Sequence, residues 1–253
     1  MRNLTRPVAA AVAAAALAGP AFAHDVWVIP RQEGTQTVAM IRYADPGKLE
    51  LADRGKVVNL EVVSAAGRIN LKRPLTATTS GPPALESKPF TAPAASILSV
   101  TYDNGFYAVS PDDGVETNTN KMLEPNATES WWVPKFGKTL MGPGAYAVRS
   151  HTLMELVPLN DPYALEAGEA LAVRVELKGK PLAGVKVAYG DGVTAIPEAD
   201  MPSVVTDKDG VAQVPIARKG AYLLMAQYEG PPSQPALADK DDTYATLAFD
   251  TSQ

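Results

Sequence analysis

Short runs of alternating apolar and polar residues, each bounded by Gly, Pro, Asn or Asp, recur along this chain, and apolar repeats of helical period are scarce. A period of two sends every second side chain of a strand to the same face, so the pattern predicts an all-β protein. In the first part of the chain, strands are predicted at Val26 to Ile29, Thr37 to Tyr43, Val57 to Val63, Ile97 to Tyr102, Ala145 to Arg149 and Thr152 to Val157. The 22 prolines reinforce this reading, because each removes a backbone donor and obstructs a helix.

The second half is more regular. Ala172 to Leu177 alternates, Gly179-Lys180-Pro181-Leu182 supplies a turn, and Val185 to Tyr189 alternates again, which predicts a hairpin. Asp207-Lys208-Asp209-Gly210 reads as a second hairpin turn, before strands at Val211 to Ile216, Tyr222 to Tyr228 and Tyr244 to Phe249. That density of strands suggests an immunoglobulin-like sandwich. Two β-sandwich-like domains are therefore expected, over 24–156 and 157–253, joined at the linker-like Pro158-Leu159-Asn160-Asp161-Pro162. Thr76 to Pro93 and Ser110 to Pro125 read as long loops, and Asp239, Asp241 and Asp242 as a solvated acidic loop.

The start departs from this pattern. Arg2 and Arg6 precede an Ala, Val and Leu stretch from Val8 to Ala18, followed by Gly19-Pro20-Ala21-Phe22-Ala23. A basic start, a short apolar run and a small-x-small ending are what the export machinery and its peptidase recognise. Cleavage after Ala23 is expected, giving a periplasmic or extracellular protein that begins at His24. No later stretch reaches the roughly 20 apolar residues of a membrane-spanning helix.

Charge and cysteine content narrow the chemistry. The whole chain carries 23 Lys and Arg against 28 Asp and Glu, and losing Arg2 and Arg6 leaves a net charge of about −7. With basic residues scattered singly among acids, nucleic acid is not an expected partner. Cysteine is absent, which excludes thiol catalysis, thiolate metal sites and disulfide bracing. Neither a nucleophile elbow nor a phosphate-cradling glycine loop is found.

The order and spacing of several segments resemble a known family. They are Ala23-His24-Asp25-Val26-Trp27-Val28-Ile29-Pro30, Leu153 to Pro162, Gly179 to Val187, Thr206-Asp207-Lys208-Asp209-Gly210 and Tyr244 to Phe249. Together they are similar to the domain-of-unknown-function family numbered 4198. The Gly-Lys-Pro-Leu-Ala-Gly and Asp-Lys-Asp-Gly segments also occur in carboxypeptidase-regulatory-like modules. The resemblance implies an exported β-sandwich protein with a metal-handling role, as in extracytoplasmic accessory components of nickel or cobalt uptake of the kind called NikK or CbtK. An inner-membrane metal transporter would then be the partner.

His24 is the residue best suited to such chemistry. As a free N-terminal residue it would offer both its α-amine and its ring Nδ1. His151 is the one other histidine, and a second imidazole would complete a three-nitrogen brace suited to Cu(II) or Ni(II). Asp25 and Glu155 are candidate carboxylate or orienting partners. The expected cofactor is a divalent transition metal: nickel, cobalt or copper. The neutral reading is that His24 is an accident of cleavage and that His151 lies in an ordinary turn. Trp131 and Trp132 could bind sugar faces or a partner, although core or junction roles are commoner. Two rival functions follow: a histidine-brace copper oxidase or peroxygenase acting on polysaccharide, and a metal-free adhesion or scaffold module.

Overall fold

A computed structural model describes residues 24–45, 47–196 and 200–252. The expected export signal at 1–23 lies outside the described residues. Among those described, strands are numbered in chain order. The first nine are β1 (Asp25–Glu33), β2 (Gln36–Asp45), β3 (Lys48–Glu50), β4 (Val57–Ser64), β5 (Gly67–Asn70), β6 (Thr76–Ala77), β7 (Leu85–Glu86), β8 (Ile97–Val109) and β9 (Glu116–Thr117). The rest are β10 (Ser130–Leu140), β11 (Met154–Pro158), β12 (Ala170–Leu177), β13 (Lys180–Pro181), β14 (Lys186–Gly190), β15 (Ser203–Val205), β16 (Val211–Pro215), β17 (Ala221–Gly230) and β18 (Lys240–Asp250).

The strands form three sheets, and the protein is all-β as the alternation predicted. A central nine-stranded sheet runs β15-β14-β17-β18-β10-β8-β4-β5, with β9 added to β8. The first outer sheet runs β1-β2-β7-β6, with β3 on β2, and the second joins β11, β12, β13 and β16. One face of the central sheet presents Leu60, Val62, Leu98 and Val100 to Val26, Val28 and Ile41 of the first outer sheet. The opposite face presents Phe136, Leu224 and Leu247 to Leu156, Val173, Val175 and Val214 of the second. Each such side chain, when fully buried, contributes roughly 1.5–3 kcal/mol.

The central sheet spans both halves of the chain. β10 pairs in parallel with β18 from Trp131↔Lys240 to Thr139↔Ala248, and the expected boundary at 156/157 falls inside β11. The strand β1 lies across β10 and β18: the hydroxyls of Thr246 and Thr139 donate to the carbonyls of Val26 and Val28. Gly137 permits this close approach, because a Cβ there would meet Trp27 Cα at 3.2 Å and Val100 Cγ1 at 2.7 Å.

Three expectations change. Ala145 to Arg149 is not a strand: Ala145–Ala147 is a 3-10 turn entered through Gly144 at φ 80°. Ala172–Leu177 and Val185–Tyr189 do not form a hairpin with each other. β12 folds back only as far as β13, and β14 joins β15 and β17 in the central sheet, so Val175 and Val187 belong to one core from different sheets. The acidic loop is also corrected, since Asp241 and Asp242 are strand residues of β18 and are buried.

Candidate metal centre

His24 stands immediately before β1, at the edge of the first outer sheet. Its ring meets Tyr43 edge-on, with centroids 5.4 Å apart, and its Nδ1 lies 3.8 Å from Oε2 of Glu50. Pairing explains the cluster: Val26 lies opposite Tyr43 in β1 and β2, and Tyr43 lies opposite Glu50 in β3. The imidazole is half-exposed and the carboxylate more so. Tyr43 packs in turn on Tyr102, at 5.2 Å. Burial pushes both phenols up, Tyr102 to about 12, so they stay protonated and form a wall for the site without adding charge.

Asp25 points away from this surface. It is buried, and its Oδ1 has no hydrogen-bond partner among the described residues. Burial raises its carboxyl to about 7 against the opposing field of Lys135, with Asp45 and Asp242 pushing in the same upward direction. Lys135 faces it from β10. Burial lowers that ammonium to about 8, while Asp25 and Asp242 oppose the fall. Its Nζ lies 3.7 Å from the centre of the Tyr244 ring, a favourable seat for a cation. Asp242 is also raised by burial, although Gln227 and the Tyr244 hydroxyl hydrogen-bond to it.

His151 sits elsewhere, in a turn before β11, with φ at 59°. Strand alternation therefore does not extend from Glu155 back to it. Its backbone N–H donates to Oε2 of Glu155 at 3.2 Å, and its side chain is exposed. Glu155 has both oxygens engaged. Lys138 Nζ and the Ser150 amide donate to Oε1 at 2.8 and 2.9 Å, while Arg149 Nε and the His151 amide donate to Oε2. Burial alone would raise this carboxyl, but Lys138, the Ser150 amide and Arg149 outweigh it and hold the group at about 2.

The two histidines are not brought together. His24 reaches Tyr43 and through it Tyr102, which pairs with Val57 at the start of β4. The carbonyl of Ser150, next to His151, accepts from Arg68, which pairs with Val63 at the far end of β4. At the rise of an extended strand those positions are about 20 Å apart.

Among the described residues no group of three or more His, Asp or Glu is arranged to hold a metal ion. The nearest approach to a donor set is His24 with Glu50. Sequence reasoning missed Glu50, because an exposed acid on a three-residue strand carries no signal of its own. It also missed Lys135 and Asp242, whose significance lies in burial.

The tryptophans pack as cross-strand pairs. Trp131 stacks on Tyr107 with Lys240 above it, and Trp132 stacks on Phe106 and donates to Asp103 at 2.8 Å. Both are half-buried, on opposite faces of β10. The Asp207 turn behaves as expected: its carboxylate accepts from the amides of Asp209 and Val211.

No helix among the described residues is long and apolar enough to cross a membrane. A comparison with curated proteins finds no match. The model of one family, described as Domain of unknown function (DUF4198), matches residues 21–230, and the chain belongs to that family.

Proposed function

We propose that this is an exported accessory protein that binds a divalent transition metal at His24 and passes it to an inner-membrane uptake transporter. The observation that carries this reading is the approach of His24 Nδ1 to Glu50 at 3.8 Å, on an accessible edge next to the expected cleavage point. Ligands held at about 2.0–2.2 Å by one small divalent ion sit about 3–3.5 Å from each other, so a small side-chain adjustment would bring both onto a common ion. Cleavage after Ala23 would add the α-amine of His24 as a third donor. Its ring nitrogen and amine together suit Ni(II) or Cu(II).

The residues that would hold the ion are thus His24, by ring and amine, and Glu50. The bound metal would be the cargo of a carrier. Exposure of the imidazole supports handover, because an ion held at a sheet edge can be reached by a second protein. The Tyr43 ring packs edge-on against the imidazole, and Tyr102 backs Tyr43. Asp25, turned inward, and Glu155, fully hydrogen-bonded at the other end of β4, are not in the ligand set, and His151 stands apart. Separation of the histidines also weighs against the histidine-brace oxidase.

Titration of the processed protein, with its N-terminus established by mass as His24, tests the proposal. One tight site for Ni(II) or Cu(II) is expected. His24→Ala should abolish it, Glu50→Gln should weaken it about tenfold, and one extra N-terminal residue should weaken it by displacing the amine. Thermal stability without metal should not change in any of these forms. Equal affinity in His24→Ala would overturn the assignment.

A further inference from the structure

A cavity of about 850 Å³ lies between the face of the first outer sheet that carries Trp27 and the ends of β17 and β18. Its size falls in the range of ligand pockets, which is roughly 300–1,000 Å³. Trp27, Ile29, Leu49, Leu223 and Phe249 supply an apolar wall. Arg42, opposite Trp27 in the β1–β2 ladder, is the one cationic residue among those lining it.

The state of Arg42 is unusual. The residue is 8 % exposed, and no carboxylate among the described residues lies within ion-pair distance of it. The nearby Glu86 is held by both terminal nitrogens of Arg31, at 2.5 and 3.2 Å. Of the two acids on the cavity wall, Asp191 is taken by the Val193 and Thr194 amides and the Thr194 hydroxyl, and Asp250 accepts from the Ser252 amide. Arg42 Nη1 donates to the carbonyls of Pro82 and Pro83 at 2.7 and 2.8 Å, which fixes the guanidinium plane. Nε and Nη2 have no acceptor among the described residues. Those two N–H groups form one edge of a planar fork, matched to the two oxygens of a carboxylate.

We propose that this cavity binds an apolar monocarboxylate, with its carboxylate on the Nε and Nη2 edge of Arg42 and its hydrocarbon body against Trp27, Ile29 and Leu223. A buried guanidinium without a counter-charge is costly to maintain, and an anionic head of this kind supplies the missing partner. The apolar wall fits a chain or ring better than a sugar. The site is distinct from His24 and Glu50 and stands whether or not a metal binds there.

Calorimetric titration of the processed chain with decanoate, decan-1-ol and decyl phosphate tests this. Saturable 1:1 binding of decanoate is expected, and Arg42→Met should weaken it by at least about tenfold while leaving the weaker decan-1-ol affinity unchanged. No saturable decanoate binding, or equal affinity in Arg42→Met, would overturn the proposal. Tighter binding of decyl phosphate would overturn the carboxylate assignment. Because Arg42 also anchors Pro82 and Pro83, Leu49→Glu provides a second variant that spares those contacts. With an unchanged circular dichroism spectrum it should lose decanoate binding by repulsion, and retained binding would refute the site.

Discussion

Lys135 and Lys138 sit three residues apart on β10, both buried, on opposite faces of the central sheet, and the acids that face them are shifted in opposite directions. Lys138 meets Glu155, whose oxygens receive four donors. Arg149 carries the network on to Glu176, which Arg174 also holds. The acid there is pulled down to about 2 and stays charged. On the other face Lys135 meets Asp25, which has an oxygen without a hydrogen-bond partner among the described residues, and both groups are pushed toward their neutral forms. Burial is common to the two sites, so hydrogen-bond satisfaction decides which pair behaves as a structural ion pair.

The largest test of that contrast is Glu155→Ala. Removing the carboxylate leaves Lys138 buried without its counter-ion and strips acceptors from the Ser150 and His151 amides. A loss of about 3–5 kcal/mol is expected, read as a lower urea midpoint. A loss below about 1 kcal/mol would mean that the network is incidental to stability.

Acid titration sharpens the same point. Glu155 has a folded pKa of about 2, below its ordinary 4.5, so its contribution is fully present above pH 4.5. That contribution is lost as pH falls from about 4.5 toward 2. A shift of this size corresponds to about 3 kcal/mol as an upper value, partly offset by the desolvation that lowers Lys138. Urea midpoints of parent and Glu155→Gln should therefore converge over this window, and parallel curves would remove Glu155 as the cause.

How far the sequence revealed these features depends on what each needed. Strands rich in Val, Leu and Ile, such as β2, β4 and β12, were legible; alternation in β12 records one buried face, whereas β2 is apolar enough to bury both of its faces. β10 was not, although it joins the two halves of the chain. Pro134 lies at an irregularity in the β8 pairing, Gly137 reports the close passage of β1, and two lysines occupy buried positions that normally hold apolar residues. Alternation also gives the parity of a residue without naming the strand beside it. His24 and His151 could thus be proposed as partners, although their elements meet opposite ends of β4. Asp242 read as solvated because a run of acids usually is, and only its seat opposite Glu229 in the ladder, facing Lys135, reveals otherwise.

Asp25→Asn is the smallest expected loss and the most direct break of the comparison. The substitution keeps shape and removes a charge that burial already disfavours, while Lys135 keeps Asp242 nearby and the Tyr244 ring beneath it. Near pH 4, where the buried carboxyl is neutral, stability should change by about 1 kcal/mol or less, against the several lost at Glu155. The sign of the pH dependence is opposite as well. Because the folded pKa of Asp25 is raised from 3.8 to about 7, its ionisation penalises the folded state increasingly as pH rises from about 4 to 7. The variant lacks that penalty, so the difference in urea midpoint should move in its favour across this interval and level off above it. If Asp25→Asn instead costs as much as Glu155→Ala, with no such drift, then Asp25 and Lys135 form a satisfied ion pair and the two faces of β10 obey the same rule.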